Sequence, residues 1–271
     1  MRPTSLAAAG AAGLALALAA TVPATAASDH GRSIGLVRGA HASLNASESS
    51  NWSGYNKGIL DNSGGFHSIT GQWTVPTATQ HTRGQDEYSS SWIGIGGGCL
   101  DTSCSATDST LIQAGTEQDV AADGTASYST WYELIPAPSI STPLAVKAGD
   151  VVSAAISESV PEVWTISLKN VTTGKSWSTT VPYSSSYATA EWIEETPLTF
   201  GTSGAGLSSL PNLGTVHFDL ATVNGGNAAL DPAEEMVLTD SNGSPIATPS
   251  APDAEADGFN DCTWSTTCAA P

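Results

Sequence analysis

The run Leu111-Ile112-Gln113-Ala114-Gly115-Thr116-Glu117 decides the fold class of this 271-residue chain. Read with period 2, Ile112, Ala114 and Thr116 point one way and Gln113, Gly115 and Glu117 the other. One face is apolar, and the other carries chemistry, including a neutral amide where its neighbours predict core or solvent. The split recurs on either side. In Ser91-Trp92-Ile93-Gly94-Ile95-Gly96-Gly97, Ile93 and Ile95 make an apolar face opposite Trp92; in Trp131-Tyr132-Glu133-Leu134-Ile135, Trp131 and Glu133 share a phase. As neighbouring strands, these runs place Trp92, Gln113, Glu117, Trp131 and Glu133 on one outward face. The same alternation also fits an ordinary solvated sheet face.

From Asn51 onward the chain reads as strand after strand with turns between them. Phe66 to Val75 ends at Pro76, and Thr110 to Gln118 and Ala126 to Ile135 flank the turn Asp123-Gly124. Val151 to Ser157 and Val163 to Leu168 flank Pro161, and Thr172-Thr173-Gly174-Lys175 leads as a hairpin into Ser176 to Val181. Tyr187 to Thr196, Thr215 to Val223 and Met236 to Thr239 follow. No long stretch holds helical periodicity, so residues 49–271 read as a single all-β domain, an antiparallel sandwich. Ser244 to Asp257, rich in Pro, Ala and Asp, reads as a loop before a closing strand at Gly258 to Trp264.

Residues 1–26 read as a secretory signal: Arg2 gives the positive start, Leu14 to Ala20 the apolar centre, and Ala24-Thr25-Ala26 a small-residue cleavage site. Residues 27–48, weakly basic with Arg32 and Arg38, read as a short propeptide or a disordered N-terminal segment. A secreted, extracellular protein is expected. No later segment offers the roughly 18 unbroken apolar residues of a membrane span. Four cysteines suit an oxidising compartment and allow three pairings; the close spacings favour Cys99 with Cys104 and Cys262 with Cys268.

The chain carries 26 acids and 8 Lys plus Arg, a net charge of -18. Two acids and three Arg precede Ser49, which leaves 24 acids against 5 bases. Such a surface repels nucleic acid and anionic membranes. Charged residues make up only 13% of the chain, so its polarity is mostly Ser, Thr and Gly, and eight Trp supply the means to bury a core. Acid would neutralise the self-repelling carboxylates. The fold is therefore expected to be most stable below about pH 5, near the carboxylate reference values of about 4.

In Ala190-Glu191-Trp192-Ile193-Glu194-Glu195-Thr196-Pro197, period 2 places Glu191, Ile193 and Glu195 on one face. Carboxylates beside Ile193 and a tryptophan-lined groove are partly desolvated, which raises their pKa and suits general acid or base work; an acidic run on a solvated edge is the alternative. Other chemistry is poorly represented. There is no G-x-S-x-G, D-T-G, D-S-G, C-x-x-C or H-E-x-x-H, and His67, His81 and His217 are scattered. No metal and no cofactor are expected.

Asn51-Trp52-Ser53-Gly54-Tyr55, Gly71-Gln72-Trp73-Thr74-Val75-Pro76, Ser91-Trp92-Ile93-Gly94-Ile95, Leu111-Ile112-Gln113-Ala114-Gly115, Trp131-Tyr132-Glu133 and Ala190-Glu191-Trp192-Ile193-Glu194-Glu195 follow one another in a telling order. In sequence and rough spacing, across residues 50–266, they resemble the glutamic peptidases, or eqolisins. The resemblance implies a lectin-like sandwich of two large antiparallel sheets and a secreted, pepstatin-insensitive acid endopeptidase with a Gln and Glu dyad. Its catalytic Gln falls on Gln113 and its catalytic Glu on Glu195, with Trp92, Glu117, Trp131 and Glu133 as substrate-binding groove residues. Gly96 stands where that family commonly has Asp, which removes a supporting hydrogen bond, and Pro197 ends the Glu195 strand early. A monomer acting on protein or peptide substrates is expected. Two other readings stay open: a carbohydrate-binding lectin-like sandwich, and a retaining glycosidase using Glu133 and Glu195 with carboxyls roughly 5 Å apart.

Overall fold

The computed structural model describes residues 43–45, 47–201 and 204–271. The expected leader and residues 27–42 lie outside the described residues. Ser43–Asn45 pairs with Glu48–Ser49, which in turn runs parallel to Glu235–Thr239. The described regular structure is β apart from a single 3-10 turn at Pro232–Glu234, and among the described residues no helix is long and apolar enough to cross a membrane.

The two separate sheets expected from the resemblance are replaced by one. Among the described residues 17 strands form a single hydrogen-bonded sheet, with Leu198–Gly201 and Gly204–Leu207 as a separate hairpin. The cause is Glu235–Thr239, which pairs with both halves. Glu235 and Met236 stand opposite Tyr55 and Gly54, whereas Leu238 and Thr239 stand opposite Ala247 and Pro245. On one side of it the antiparallel ladder runs through Pro245–Pro249, Phe259–Thr263, Thr215–Val223, Ser68–Thr74, Val151–Val160, Val163–Asn170 and Lys175–Pro182. On the other it runs through Trp52–Gly58, Thr189–Glu195, Ser90–Gly96, Leu111–Val120, Ala126–Leu134 and Ile140–Ser141.

The sheet folds over on itself because each half has an apolar face to bury. Ile93, Ile95, Ile112, Ala114 and Trp192 from one half pack in a single cluster with Trp73, Ile156, Trp164, Ile166 and Phe218 from the other. Ile93, Ile95, Ile112 and Ala114 are the apolar phases read from the sequence. Two indoles cross between the halves: Trp73 Nε1 donates to Thr116 Oγ1 at 2.9 Å, and Trp192 Nε1 to the Thr70 carbonyl at 2.8 Å. Each buried N–H thereby keeps a partner where water cannot supply one.

One expected loop is partly a strand. Pro245–Pro249 lies within the stretch read as a loop, and pairs with Phe259–Thr263. Its composition hid it, but Ala247 is buried against Leu210 and Leu238, and that apolar contact outweighs the weak strand propensity of Pro and Ala. Both local disulfides, Cys99–Cys104 and Cys262–Cys268, are formed.

The interior also holds carboxyls. Glu194 shares the inward phase of Trp192, and its Oε2 accepts from Ser91 Oγ at 2.6 Å. Its cross-strand neighbour Ser53 donates to Asp261 Oδ1 at 3.0 Å. Both acids are 0% exposed. Burial pushes Glu194 well above the usual carboxylate range, aided by repulsion from Asp261 and Glu195 and opposed by Ser91. Burial likewise pushes Asp261 up to about 7, opposed by the Ser53 hydroxyl and aided by Glu235. Inside the fold these groups are stable as neutral acids.

Gly96 ends its strand with φ of +100°, and a Cβ there would lie 2.0 Å from the Thr110 carbonyl oxygen. An aspartate at this position is therefore incompatible with this backbone. The Asp108 carboxylate occupies the adjoining space, 3.0 Å from the would-be Cβ, held by the Thr110 N–H and hydroxyl and by Ser186.

An acid with a raised folded pKa keeps its proton where the unfolded chain has lost it, so stability is complete below about pH 4 and declines as pH rises toward 7. For Asp261, raised from 3.8 to about 7, the linkage amounts to about 4 kcal/mol. The melting temperature should fall from pH 4 to pH 7, and Asp261→Asn, which keeps an acceptor for Ser53, should flatten that slope; an unchanged slope would refute the assignment. Gly96→Asp should destabilise by about 2 kcal/mol or more in urea denaturation rather than restore a missing contact.

Candidate active site

Five strands of the second half carry the outward face: Trp52–Gly58, Thr189–Glu195, Ser90–Gly96, Leu111–Val120 and Ala126–Leu134. Their pairings run without a register shift, so outward side chains line up in rows across the strands. One row reads Asn56, Glu191, Gly94, Gln113, Glu133. The next reads Gly54, Ile193, Trp92, Gly115, Trp131, and the third Trp52, Glu195, Ser90, Glu117, Ser129. All six residues expected at the site, Trp92, Gln113, Glu117, Trp131, Glu133 and Glu195, share this face.

It is not a solvated face. Trp92, Gln113, Glu133 and Glu195 are 0% exposed and Trp131 is 2% exposed, while Glu117 is half-buried. An apolar cluster of Trp52, Trp92, Leu111, Trp131, Ile193 and Met236 fills the middle row and its flanks. The rings of Trp52 and Trp92 meet edge to face with centroids 5.0 Å apart, a favourable aromatic geometry.

Each member of the expected dyad is oriented by one of the other expected residues. Gln113 Nε2 donates to Glu133 Oε2 at 2.7 Å, directly across the strand pair. A carboxylate only accepts, so Glu133 fixes which end of the amide is nitrogen. Trp92 Nε1 donates to Glu195 Oε2 at 2.8 Å, which fixes the orientation of that carboxyl. Glu117 Oε2 accepts from Ser129 Oγ at 3.2 Å.

The rows also show what is not in register. Gln113 is level with Glu191, across Gly94, whereas Glu195 lies two rows along the same strand as Glu191. Trp92 spans that diagonal: its Nε1 reaches Glu195, and its benzo edge lies over Gly94, where a Cβ would come within 2.8 Å of Cζ3. Glu191 is fully buried, and burial drives its carboxyl well above the usual range, opposed by the Thr189 hydroxyl and aided by Asp108. The two outward glutamates of this strand thus differ in environment: Glu191 is held neutral and Glu195 faces a donor.

Glu133 and Glu195 are separated by two intervening strands and two rows. At about 4.8 Å per strand, that is far beyond the roughly 5 Å of a retaining carboxyl pair. Among the described residues the carboxylates close enough to share a cation are Asp219, Asp253 and Asp257, none of them on these five strands. Trp52 and Ser90 were not singled out from the sequence as site residues. Trp52 comes level with Glu195 through a strand more than a hundred residues away, a pairing that local periodicity does not encode.

Comparison with known proteins agrees with this architecture. A family model described as the Peptidase A4 family matches residues 50–256. Aspergillopepsin-2 of Aspergillus niger is 25% identical over 220 residues, which cover 73% of this chain and 72% of that protein. Among solved structures, scytalido-glutamic peptidase bound to a transition state analog inhibitor superposes with a TM-score of 0.61 at 18% identity, covering 79% of this chain and 98% of that one. Aspergilloglutamic peptidase from Aspergillus niger superposes with a TM-score of 0.51 at 24% identity, covering 65% and 99%. With the family model spanning most of its length and the fold shared with glutamic peptidases, this chain belongs to the Peptidase A4 family, the eqolisin or glutamic peptidases.

Proposed function

We propose that the protein is a secreted, pepstatin-insensitive acid endopeptidase that hydrolyses peptide bonds with Gln113 and Glu195. The observation that carries this reading is the pair of anchoring hydrogen bonds, Glu133 on the Gln113 amide and Trp92 on the Glu195 carboxylate, on one tryptophan-lined face. An amide and a carboxylate held in this way suit water activation without a metal or a covalent intermediate.

Glu195, ionised, takes a proton from a water whose oxygen bonds to the scissile carbonyl carbon. Negative charge collects on the carbonyl oxygen. Gln113 Nε2 carries two hydrogens; one is committed to Glu133, and the other donates to this oxyanion, a contribution of about 3 kcal/mol for a positioned neutral donor. Glu195 then returns its proton to the leaving nitrogen, the C–N bond breaks, and the carboxylate is regenerated. Glu195 is preferred to Glu191 as the base because the Trp92 indole N–H orients its carboxyl, whereas burial drives the Glu191 carboxyl well above the usual range. The acidic net charge and the neutral interior acids favour work at low pH.

Hydrolysis of denatured haemoglobin from pH 2 to pH 7 with pepstatin present tests the reading. Activity should be confined to acid. Gln113→Ala and Glu195→Gln should each lower turnover by about a hundredfold or more, while Glu191→Gln keeps most of it. Activity that survives Glu195→Gln but is lost in Glu191→Gln would move the base to Glu191, and an inactive processed wild type would refute the peptidase.

A further inference from the structure

Ser90 stands between two carboxylates. It is the direct cross-strand neighbour of Glu195 on one side and of Glu117 on the other, and it shares the outward phase of Trp92. The serines flanking it are committed elsewhere: Ser89 Oγ donates to the Gln118 carbonyl at 2.9 Å, and Ser91 Oγ donates to Glu194 at 2.6 Å. Ser90 is 0% exposed, and among the described residues its hydroxyl has no hydrogen-bond partner. Burying a hydroxyl unpaired costs about 1–3 kcal/mol, a cost that fits a group kept for a ligand of the site. Directly opposed Cβ atoms on paired strands are about 5 Å apart, so a hydroxyl and a carboxylate rising from Ser90 and Glu195 can share one water.

We propose that Ser90 is a water-binding residue of the Gln113 and Glu195 site: its Oγ accepts one O–H of the attacking water while Glu195 accepts the other. This rests on the peptidase reading above. With both hydrogens engaged, a lone pair of the water oxygen is directed at the scissile carbonyl carbon, and orientation of this kind lowers the barrier without tightening substrate binding. As the new C–O bond forms, the hydrogen facing Glu195 passes to that carboxylate. The hydrogen facing Ser90 stays on the oxygen and leaves in the carboxyl group of the product. Ser90 itself neither gains nor loses a proton.

The test is a kcat and KM measurement on one peptide substrate at acid pH for the wild type, Ser90→Ala, Ser90→Thr and Glu195→Gln, with melting temperatures alongside. Ser90→Ala should lower kcat about tenfold or more and leave KM within about twofold, with no loss of melting temperature. Ser90→Thr, which keeps the hydroxyl on a residue suited to a strand, should retain most of the turnover. A Ser90→Ala enzyme with wild-type kcat beside an inactive Glu195→Gln enzyme overturns the role of Ser90 and leaves the peptidase reading standing. A loss seen only in KM or in melting temperature overturns it equally, and a wild type that cleaves no peptide overturns both.

Discussion

The outward face depends on an antiparallel register that runs unshifted across five strands, from Trp52–Gly58 to Ala126–Leu134. Because side chains alternate with period 2, a slip of one residue in any of these strands would send its outward set into the core. Gln113 would exchange places with Ile112 or Ala114, and Glu195 with Glu194. The core enforces the register. Ile93, Ile95, Ile112, Ala114 and Trp192 fill the inward face, and exposing that set would cost roughly 1.5–3 kcal/mol for each large side chain. Packing on one side of the sheet thus positions chemistry on the other.

The same alternation divides adjacent glutamates between different tasks. Glu194 points inward to Ser91 and is stable as a neutral acid, while Glu195, the next residue, points outward to the Trp92 indole. Glu191, two rows further back on the outward face, is again held neutral by burial. Three carboxyls within five residues therefore sit in three environments, and the interior ones tie the fold to acid. The stability expected from net charge alone gains a specific origin in Glu194 and Asp261, which are comfortable inside only while protonated.

The single, folded-over sheet has its own local cause. Glu235–Thr239 changes partner halfway along, from Tyr55 and Gly54 to Ala247 and Pro245, and so joins halves that the sequence pattern presents as separate sheets. Nothing in the five residues Glu235-Met236-Val237-Leu238-Thr239 signals a change of partner, and the Pro-rich composition of the neighbouring strand conceals it from a reading based on propensity. Gly96 shows the reverse case. The absent aspartate reads as a loss in the sequence, yet the backbone at φ of +100° and the Thr110 carbonyl leave no room for a side chain, and Asp108 fills the adjoining space from another segment.

The sequence by itself determined the all-β class and the faces of the strands around Gln113, favoured the two local disulfides over the other pairings, and picked out six of the residues that share the outward face. These depend on alternation and short spacings, which are properties of the chain over a few residues. Tertiary structure alone decided which strands lie side by side. That brought Trp52 level with Glu195, placed Ser90 between Glu195 and Glu117, set Glu191 rather than Glu195 opposite Gln113, and shut Glu194 and Asp261 into the interior. Strand order and register between distant segments are fixed by the joint burial of both apolar faces, a condition that exists only once the sheet has folded over on itself.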